Sequence, residues 1–212
     1  MQFNIDDFLG LSASVYIIAL TIFLSFIAFC SKSVSHKLML KPYELTRNGG
    51  YYTLVTSGFI HGDFGHLFFN LLTFFFFAFH LEGILGSMRF LILYIFSMVF
   101  SLIWTIIRHR NDSSYGSLGA SGAITGVMFS YILYEPDRVL IAPYIPVPVP
   151  AMIYVVIYVV YCLFQSMFSK DNVNHDAHLW GGVGGVLITL VLDPLGYTRL
   201  MSLWDKILSF MP

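Results

Sequence analysis

The sequence predicts an all-α fold, with one polytopic membrane domain over residues 1–212 and six transmembrane helices. The first supporting observation is composition, because 57% of the 212 residues are hydrophobic and only 11% are charged. A soluble domain has about 25% charged residues, which it needs to cover its surface. The second is that the apolar residues form long runs, and about 20 such residues cross a bilayer as a helix. Lipid is therefore expected to surround most of the chain.

The predicted helices lie near residues 12–30, 64–82, 88–107, 118–134, 150–168 and 177–192. The fourth and sixth are short and rich in glycine. Before the first helix, Asp6 and Asp7 stand where a signal peptide would carry basic residues, so this helix is expected to remain as an anchor. No repeat of about 20–50 residues and no low-complexity linker divides the chain.

The connections between these helices differ in character. The first, residues 31–63, is the longest and is expected to contain interfacial structure of its own. The connection 135–149 carries spaced prolines, which favour an extended path and exclude a helix. The tail after Asp193 and Pro194 is a short amphipathic segment, predicted to lie on the membrane surface.

Charge bears on partners and on orientation. The net charge of -1 comes without a basic patch, which argues against nucleic-acid binding. Lysine and arginine are more numerous after the first, third and fifth helices than on the opposite side. By the positive-inside rule alone, this count would place the amino terminus outside. Cys30 and Cys162 lie in apolar runs and do not indicate a disulfide framework, so the redox compartment stays open.

Polar residues inside spanning segments are costly and are therefore functional candidates. His66 and Asn70 are four residues apart, so they project from one face of the second helix and both can donate hydrogen bonds. They could instead tie this helix to a neighbour. A metal site is disfavoured, because His61 and His66 are five apart and no H-E-x-x-H pattern is present. His61 is predicted to be an interfacial residue of the loop.

A serine between glycines opens the fourth helix, in the string Gly119, Ala120, Ser121, Gly122. Small neighbours expose its hydroxyl and let another backbone approach. Gly122 and Gly126 also form a G-x-x-x-G pattern, which in membranes usually means helix packing.

A histidine heads a glycine stripe in the sixth helix. His178, Gly181, Gly182 and Gly185 follow helical spacing and share one face. Each glycine costs about 1 kcal/mol relative to alanine, so the stripe indicates a close helix contact. A lone histidine here could be a packing residue only.

Together these clusters supply the parts of an acyl-transfer site. Ser121 is the candidate nucleophile and His178 its general base. His66, Asn70 and the Ser121 N–H are candidate donors to an oxyanion. Asp176 is two residues from His178 and would face away from it, so a Ser-His dyad is predicted. Asp171 and Asp176 are expected in the solvated loop.

The pattern closely resembles the rhomboid intramembrane serine proteases over nearly the whole chain. Four motifs of the family occur here in order. The H-x4-H-x3-N motif is His61, His66 and Asn70, and E-x3-G is Glu82 and Gly86. The G-x-S-G motif is Gly119 to Gly122, and A-H-x-x-G-x-x-x-G is Ala177, His178, Gly181 and Gly185. The resemblance implies the dyad Ser121 and His178, with His66 and Asn70 in the oxyanion hole. Gly119, Gly122, Gly126, Gly181, Gly185 and Glu82 are expected to serve helix packing.

The resemblance also implies single-pass membrane proteins as substrates, a cell-membrane location and a water-filled cavity on the extracytoplasmic side. It implies a cytoplasmic amino terminus, contrary to the charge count, and no metal or other cofactor. Two departures stand out: Thr125 replaces a frequent aromatic residue, and Tyr52-Thr53 replaces a frequent Trp-Arg pair.

Two other functions are alternatives to a protease. The first is a catalytically inactive rhomboid-like protein that binds membrane clients, but such a protein would not need Ser121 or His178. The second is a transporter, which would be expected to show a repeat and a buried ion-pair relay. Substrate identity and oligomeric state do not follow from the sequence.

Overall fold

The structure is a computed structural model that describes residues 12–142, 145–168 and 173–209. Asp6, Asp7 and Asp171 lie outside these described residues. The helices are α1 (Ala13–Cys30), α2 (Lys32–Leu38), α3 (Pro42–Asn48), α4 (Thr53–Thr56), α5 (Phe64–Leu85), α6 (Ser87–His109), α7 (Ser121–Tyr134), α8 (Ala151–Phe168), α9 (His175–Leu192) and α10 (Gly196–Ser209). A 3-10 turn (Ser57–Phe59) follows α4, and strands β1 (Val139–Ala142) and β2 (Ile145–Pro150) form a hairpin.

Each of the six predicted segments contains one helix. Within the described residues, α1, α5, α6 and α8 are long and apolar enough to cross a membrane. The fourth predicted helix begins at Ser121 rather than near 118, because Gly119 adopts a φ of 118° just before it. α7 has only 14 residues, but every residue from Gly122 to Leu133 is buried. A helix enclosed by protein need not present a long apolar surface to lipid.

The core surrounds α7, which packs against α5, α6 and α9. The outer faces of the long helices are apolar and exposed: Phe75 is 60% accessible in α5, and Val160 is 61% accessible in α8. Apolar surface of this extent is expected to face lipid in a membrane protein.

The long first connection has structure of its own, as predicted. It contains α2, α3, α4 and the 3-10 turn. Leu40 forms an isolated β-bridge with Ser117, with N···O distances of 3.0 and 2.9 Å. This bridge fastens the connection to the segment that leads into α7.

The proline-rich connection is extended, also as predicted. The Ala151 N–H, just after β2, donates to the Arg138 carbonyl at 2.8 Å. The two strands pair antiparallel, with a register shift between Leu140 and Ala142. Pro146, Pro148 and Pro150 have no N–H, so these positions of β2 offer no donor to another strand.

Candidate active site

Two helices meet through glycines at the centre of the fold. A Cβ built on Gly181 of α9 would overlap the carbonyl oxygen of Gly122 in α7. One turn along, a Cβ on Gly185 would overlap the carbonyl of Gly126. The backbones of α7 and α9 are therefore in direct contact, and only hydrogen atoms fit between them. Gly182 lies beside this line, where a Cβ would be 2.7 Å from the Phe129 ring.

The opposite side of the α7 glycines is closed by α6. A Cβ on Gly122 would overlap the Ser101 hydroxyl, and one on Gly126 would overlap that of Ser97. Both serines are buried. α7 is thus held between two small-residue faces, which leaves its first residue little freedom to shift.

This crossing brings the amino-terminal ends of α7 and α9 together. Ser121 is the first residue of α7, and His178 lies in the first turns of α9. A Cβ on Gly122 would lie 3.3 Å from the Ala177 carbonyl oxygen, so the residue after the serine meets the residue before the histidine. As a first-turn residue, Ser121 has no intrahelical partner for its N–H.

The hydroxyl groups of Thr125 and Tyr158 lie between the Ser121 carbonyl and the His178 ring. Thr125 Oγ1 donates to the Ser121 carbonyl at 2.8 Å and lies 3.3 Å from the Tyr158 hydroxyl. The Tyr158 hydroxyl lies 3.3 Å from His178 Nδ1. Sequence reasoning missed Tyr158, although Tyr154, Tyr158 and Tyr161 share one face of an apolar helix. That spacing was the available signal.

His66 and Asn70 lie on the side of α5 that faces the serine loop. A Cβ on Gly119 would lie 2.6 Å from His66 Cε1, so this imidazole abuts the loop two residues before Ser121. Asn70 is 8% accessible, and its Nδ2 donates to the His66 carbonyl at 3.1 Å. An asparagine amide has two hydrogens, so a second remains for another acceptor.

His61 is not the interfacial loop residue that the sequence predicted. It is 1% accessible, and Ser25 Oγ of α1 lies 2.9 Å from its Nδ1. Its Nε2 accepts from the Ala120 N–H at 3.3 Å, which requires a neutral ring with the proton on Nδ1. Burial, aided by the nearby His66, lowers the pKa of His61 from 6.5 to about 3. His61 therefore supports the loop that presents Ser121.

Asp176 also differs from expectation, because it lies in the first turn of α9 rather than in a solvated loop. Its carboxylate accepts from Arg108 Nη1 of α6 at 2.5 Å and from the Ser166 hydroxyl of α8. These partners hold the carboxylate in a bridge between three helices. Asn174 caps the same helix end, accepting from Ala177 N at 3.0 Å and donating to Thr105 at 2.9 Å.

Glu82 lies away from the serine, near the carboxyl end of α5. Its carboxylate accepts from the N–H groups of Ala13 at 2.6 Å and Ser14 at 2.9 Å, which satisfies the amino-terminal end of α1. It also accepts from the Ser87 hydroxyl of α6. Glu82 therefore joins three helices through hydrogen bonds.

Tyr52 and Thr53, the second departure from the family pattern, make contacts within the first connection. The Tyr52 hydroxyl donates to the Lys37 carbonyl at 3.2 Å, and Thr53 Oγ1 donates to the Gly50 carbonyl at 2.8 Å. Across residues 12–142, 145–168 and 173–209, no three His, Cys, Asp or Glu side chains are grouped so that they could hold a metal ion.

Comparison with known proteins matches this chain to one family and to several relatives. The sequence model of the Rhomboid domain matches residues 48–194. The rhomboid protein YdcA of Bacillus subtilis is 33% identical over 146 residues, 68% of this chain and 68% of the relative. The mitochondrial RHOMBOID-like protein 12 of Arabidopsis thaliana is 27% identical over 150 residues, 64% of this chain and 44% of the relative. The mitochondrial Rhomboid protein 1 of Saccharomyces cerevisiae is 33% identical over 158 residues, 72% of this chain and 44% of the relative.

Proposed function

This chain belongs to the rhomboid family of multi-pass membrane proteins, and we propose that it is an intramembrane serine protease. Its substrates would be membrane proteins with one spanning helix, cleaved in or near that helix. The observation that carries the proposal is the glycine contact between α7 and α9, which joins the ends that bear Ser121 and His178. A packing role alone would not require a serine and a histidine at the joined ends.

The proposed reaction starts with proton transfer from Ser121 Oγ to His178 Nε2 as the oxygen attacks the scissile carbonyl carbon. The carbonyl oxygen becomes an oxyanion, and His178 then gives the proton to the leaving amine as the C–N bond breaks. Water attacks the resulting ester with His178 again as base, which releases the second product and restores Ser121.

Three donors are available for the oxyanion. They are the Ser121 N–H at the start of α7, the Asn70 amide and the His66 imidazole. The positive end of the α7 dipole favours negative charge at the same place. Donors fixed in advance stabilise the transition state without reorganising, and each is worth about 100- to 1000-fold in rate.

In this proposal Asp176 is not a third catalytic residue beside Ser121 and His178. The Asp176 carboxylate is committed to Arg108 and Ser166, two residues on other helices. The Tyr158 hydroxyl lies 3.3 Å from His178 Nδ1. We further propose a cell-membrane location with a cytoplasmic amino terminus and the site on the extracytoplasmic side, as the family resemblance implies.

The test is covalent labelling together with substrate cleavage. The detergent-solubilised protein is incubated with a fluorophosphonate probe and, separately, with a model single-span substrate. Wild type should label and cleave, Ser121→Ala should do neither, and His178→Ala should lose cleavage. Ser202→Ala, on the exposed face of α10, is the matched control and should behave as wild type. Equal labelling of wild type and Ser121→Ala would overturn the proposal.

A further inference from the structure

The Tyr158 hydroxyl stands at the junction of three helices. It comes from the middle of α8, where its ring packs edge-on against Phe129 of α7 at 6.0 Å and stacks on Tyr154 at 6.0 Å. The hydroxyl lies 3.3 Å from Thr125 Oγ1 and 3.3 Å from His178 Nδ1. In the proposed reaction Nε2 takes the proton of Ser121, so Tyr158 contacts the other ring nitrogen of His178.

The Ser121 carbonyl determines which group donates in each hydrogen bond from Thr125 to Tyr158 and His178. The Ser121 carbonyl can only accept, so the single Thr125 hydroxyl proton goes to it at 2.8 Å. Thr125 Oγ1 then has only lone pairs to offer Tyr158. Cys162 lies one turn further along α8, and its sulfur is a weak acceptor.

Tyr158 has one proton, and these neighbours accept it. Its oxygen then turns a lone pair toward His178, which must supply the hydrogen from Nδ1. A neutral imidazole with its proton on Nδ1 carries its lone pair on Nε2. That is the nitrogen that must accept the proton of Ser121 in the proposed reaction.

We propose that Tyr158 is a positioning residue that holds His178 in the Nδ1–H tautomer and orients its ring toward Ser121. This inference rests on the proposed function, which it deepens by naming the group that prepares the general base. Tyr158 keeps its own proton throughout. When Nε2 takes the serine proton, the imidazolium still donates from Nδ1 to the Tyr158 oxygen, and the aligned hydroxyl dipoles stabilise its charge.

The first experiment removes only the hydroxyl, in Tyr158→Phe. The ring packing is retained, so the protein should fold and its KM should stay within about twofold of wild type. We expect kcat to fall roughly 10- to 100-fold, the range that follows from loss of positioning. Tyr161→Phe is the matched control, because its hydroxyl meets Gln165 of the same helix, and it should turn over like wild type.

The second readout is the tautomer itself. Nitrogen-15 NMR of histidine-labelled protein, assigned with His178→Ala, should show His178 protonated on Nδ1 in wild type and in Tyr161→Phe. In Tyr158→Phe, that population should shift toward Nε2–H. A residue that only ties α8 to α9 would change the melting temperature without changing the tautomer. An unchanged tautomer or an unchanged kcat in Tyr158→Phe overturns the inference.

Thr125 provides an independent variant pair. Thr125→Val removes the main acceptor for the Tyr158 proton, so this proton can turn toward His178 and favour the opposite tautomer. Thr125→Ser keeps a hydroxyl in place and should restore both the Nδ1–H tautomer and kcat to within a few-fold of wild type. Equal behaviour of the two variants would contradict the inference.

The two proposals can fail separately. If Ser121→Ala cleaves like wild type, the protease mechanism is wrong, whatever the His178 tautomer. If Ser121→Ala is inactive but Tyr158→Phe leaves tautomer and kcat unchanged, the dyad stands and only the role of Tyr158 is wrong.

Discussion

Gly181 of α9 is pressed against the carbonyl group of Gly122 in α7, so closely that a Cβ on Gly181 would overlap the oxygen. The obstacle is backbone in the first turn of a buried helix, and it cannot rotate aside as a side chain can. The approach of the helix ends that bear Ser121 and His178 therefore depends on the absence of a side chain at Gly181, as it does at Gly185.

The Gly181→Val substitution should consequently remove most activity. The added methyl groups would force α7 and α9 apart near the dyad, and a displacement of about 1 Å can cost on the order of 100-fold in rate. Cleavage rate and melting temperature of the purified protein measure this. Gly83→Val is the control, because a Cβ on Gly83 in α5 meets nothing within 4 Å. Full activity of Gly181→Val would show that this contact does not set the site.

Asn70→Ala should lower kcat by roughly 10- to 1000-fold, the effect of losing one oxyanion donor. The melting temperature should change little, because the one hydrogen bond that Asn70 is seen to make is local, to His66 of the same helix. Thr73→Ala, which removes a similar local bond to Phe69 from an exposed position, serves as the control. Normal turnover with a lowered melting temperature would instead mean that Asn70 only stabilises the fold.

His61 should make the stability of the protein depend on pH. Its pKa is lowered to about 3 in the folded protein, so between about pH 6.5 and 3 the unfolded chain binds one more proton than the folded one. Stability is then lost as the pH falls through this window, by about 1.4 kcal/mol per pH unit.

Thermal melts across this pH range measure the effect. His61→Asn, which keeps a donor and an acceptor, should flatten the pH dependence, whereas His36→Asn at an exposed position should not. The same slope in both variants would refute the assignment to His61.

The Asp176→Ala substitution should show whether the site is a Ser-His dyad or a triad that includes Asp176. The carboxylate bonds Arg108 and Ser166, so its loss should lower the melting temperature while kcat stays within about tenfold of wild type. Arg108→Ala should have a similar effect, because it breaks the same bridge. A fall in kcat of about 10 000-fold, as when a histidine loses its orienting carboxylate, would instead make Asp176 a third member of the site.

The sequence alone determined the features that depend on neighbouring residues. Apolar runs placed α1, α5, α6, α7, α8 and α9 to within a few residues, and spaced prolines predicted the extended connection before α8. Helical spacing put His66 with Asn70, and His178 with Gly181, because residues three or four apart share a face. The glycine stripe indicated a close contact but not its partner atoms.

Only the tertiary structure decided the contacts between helices. Tyr158 meets His178 Nδ1, His61 is buried between Ser25 and the Ala120 N–H, and Asp176 is drawn to Arg108 rather than to solvent. Each pair except Tyr158 and His178 is separated by more than 30 residues. Local periodicity shows which face of a helix a residue occupies. Which side chain it contacts on the neighbouring helix depends on how the helices cross. Here the crossing is fixed by direct backbone contact between Gly122 and Gly181.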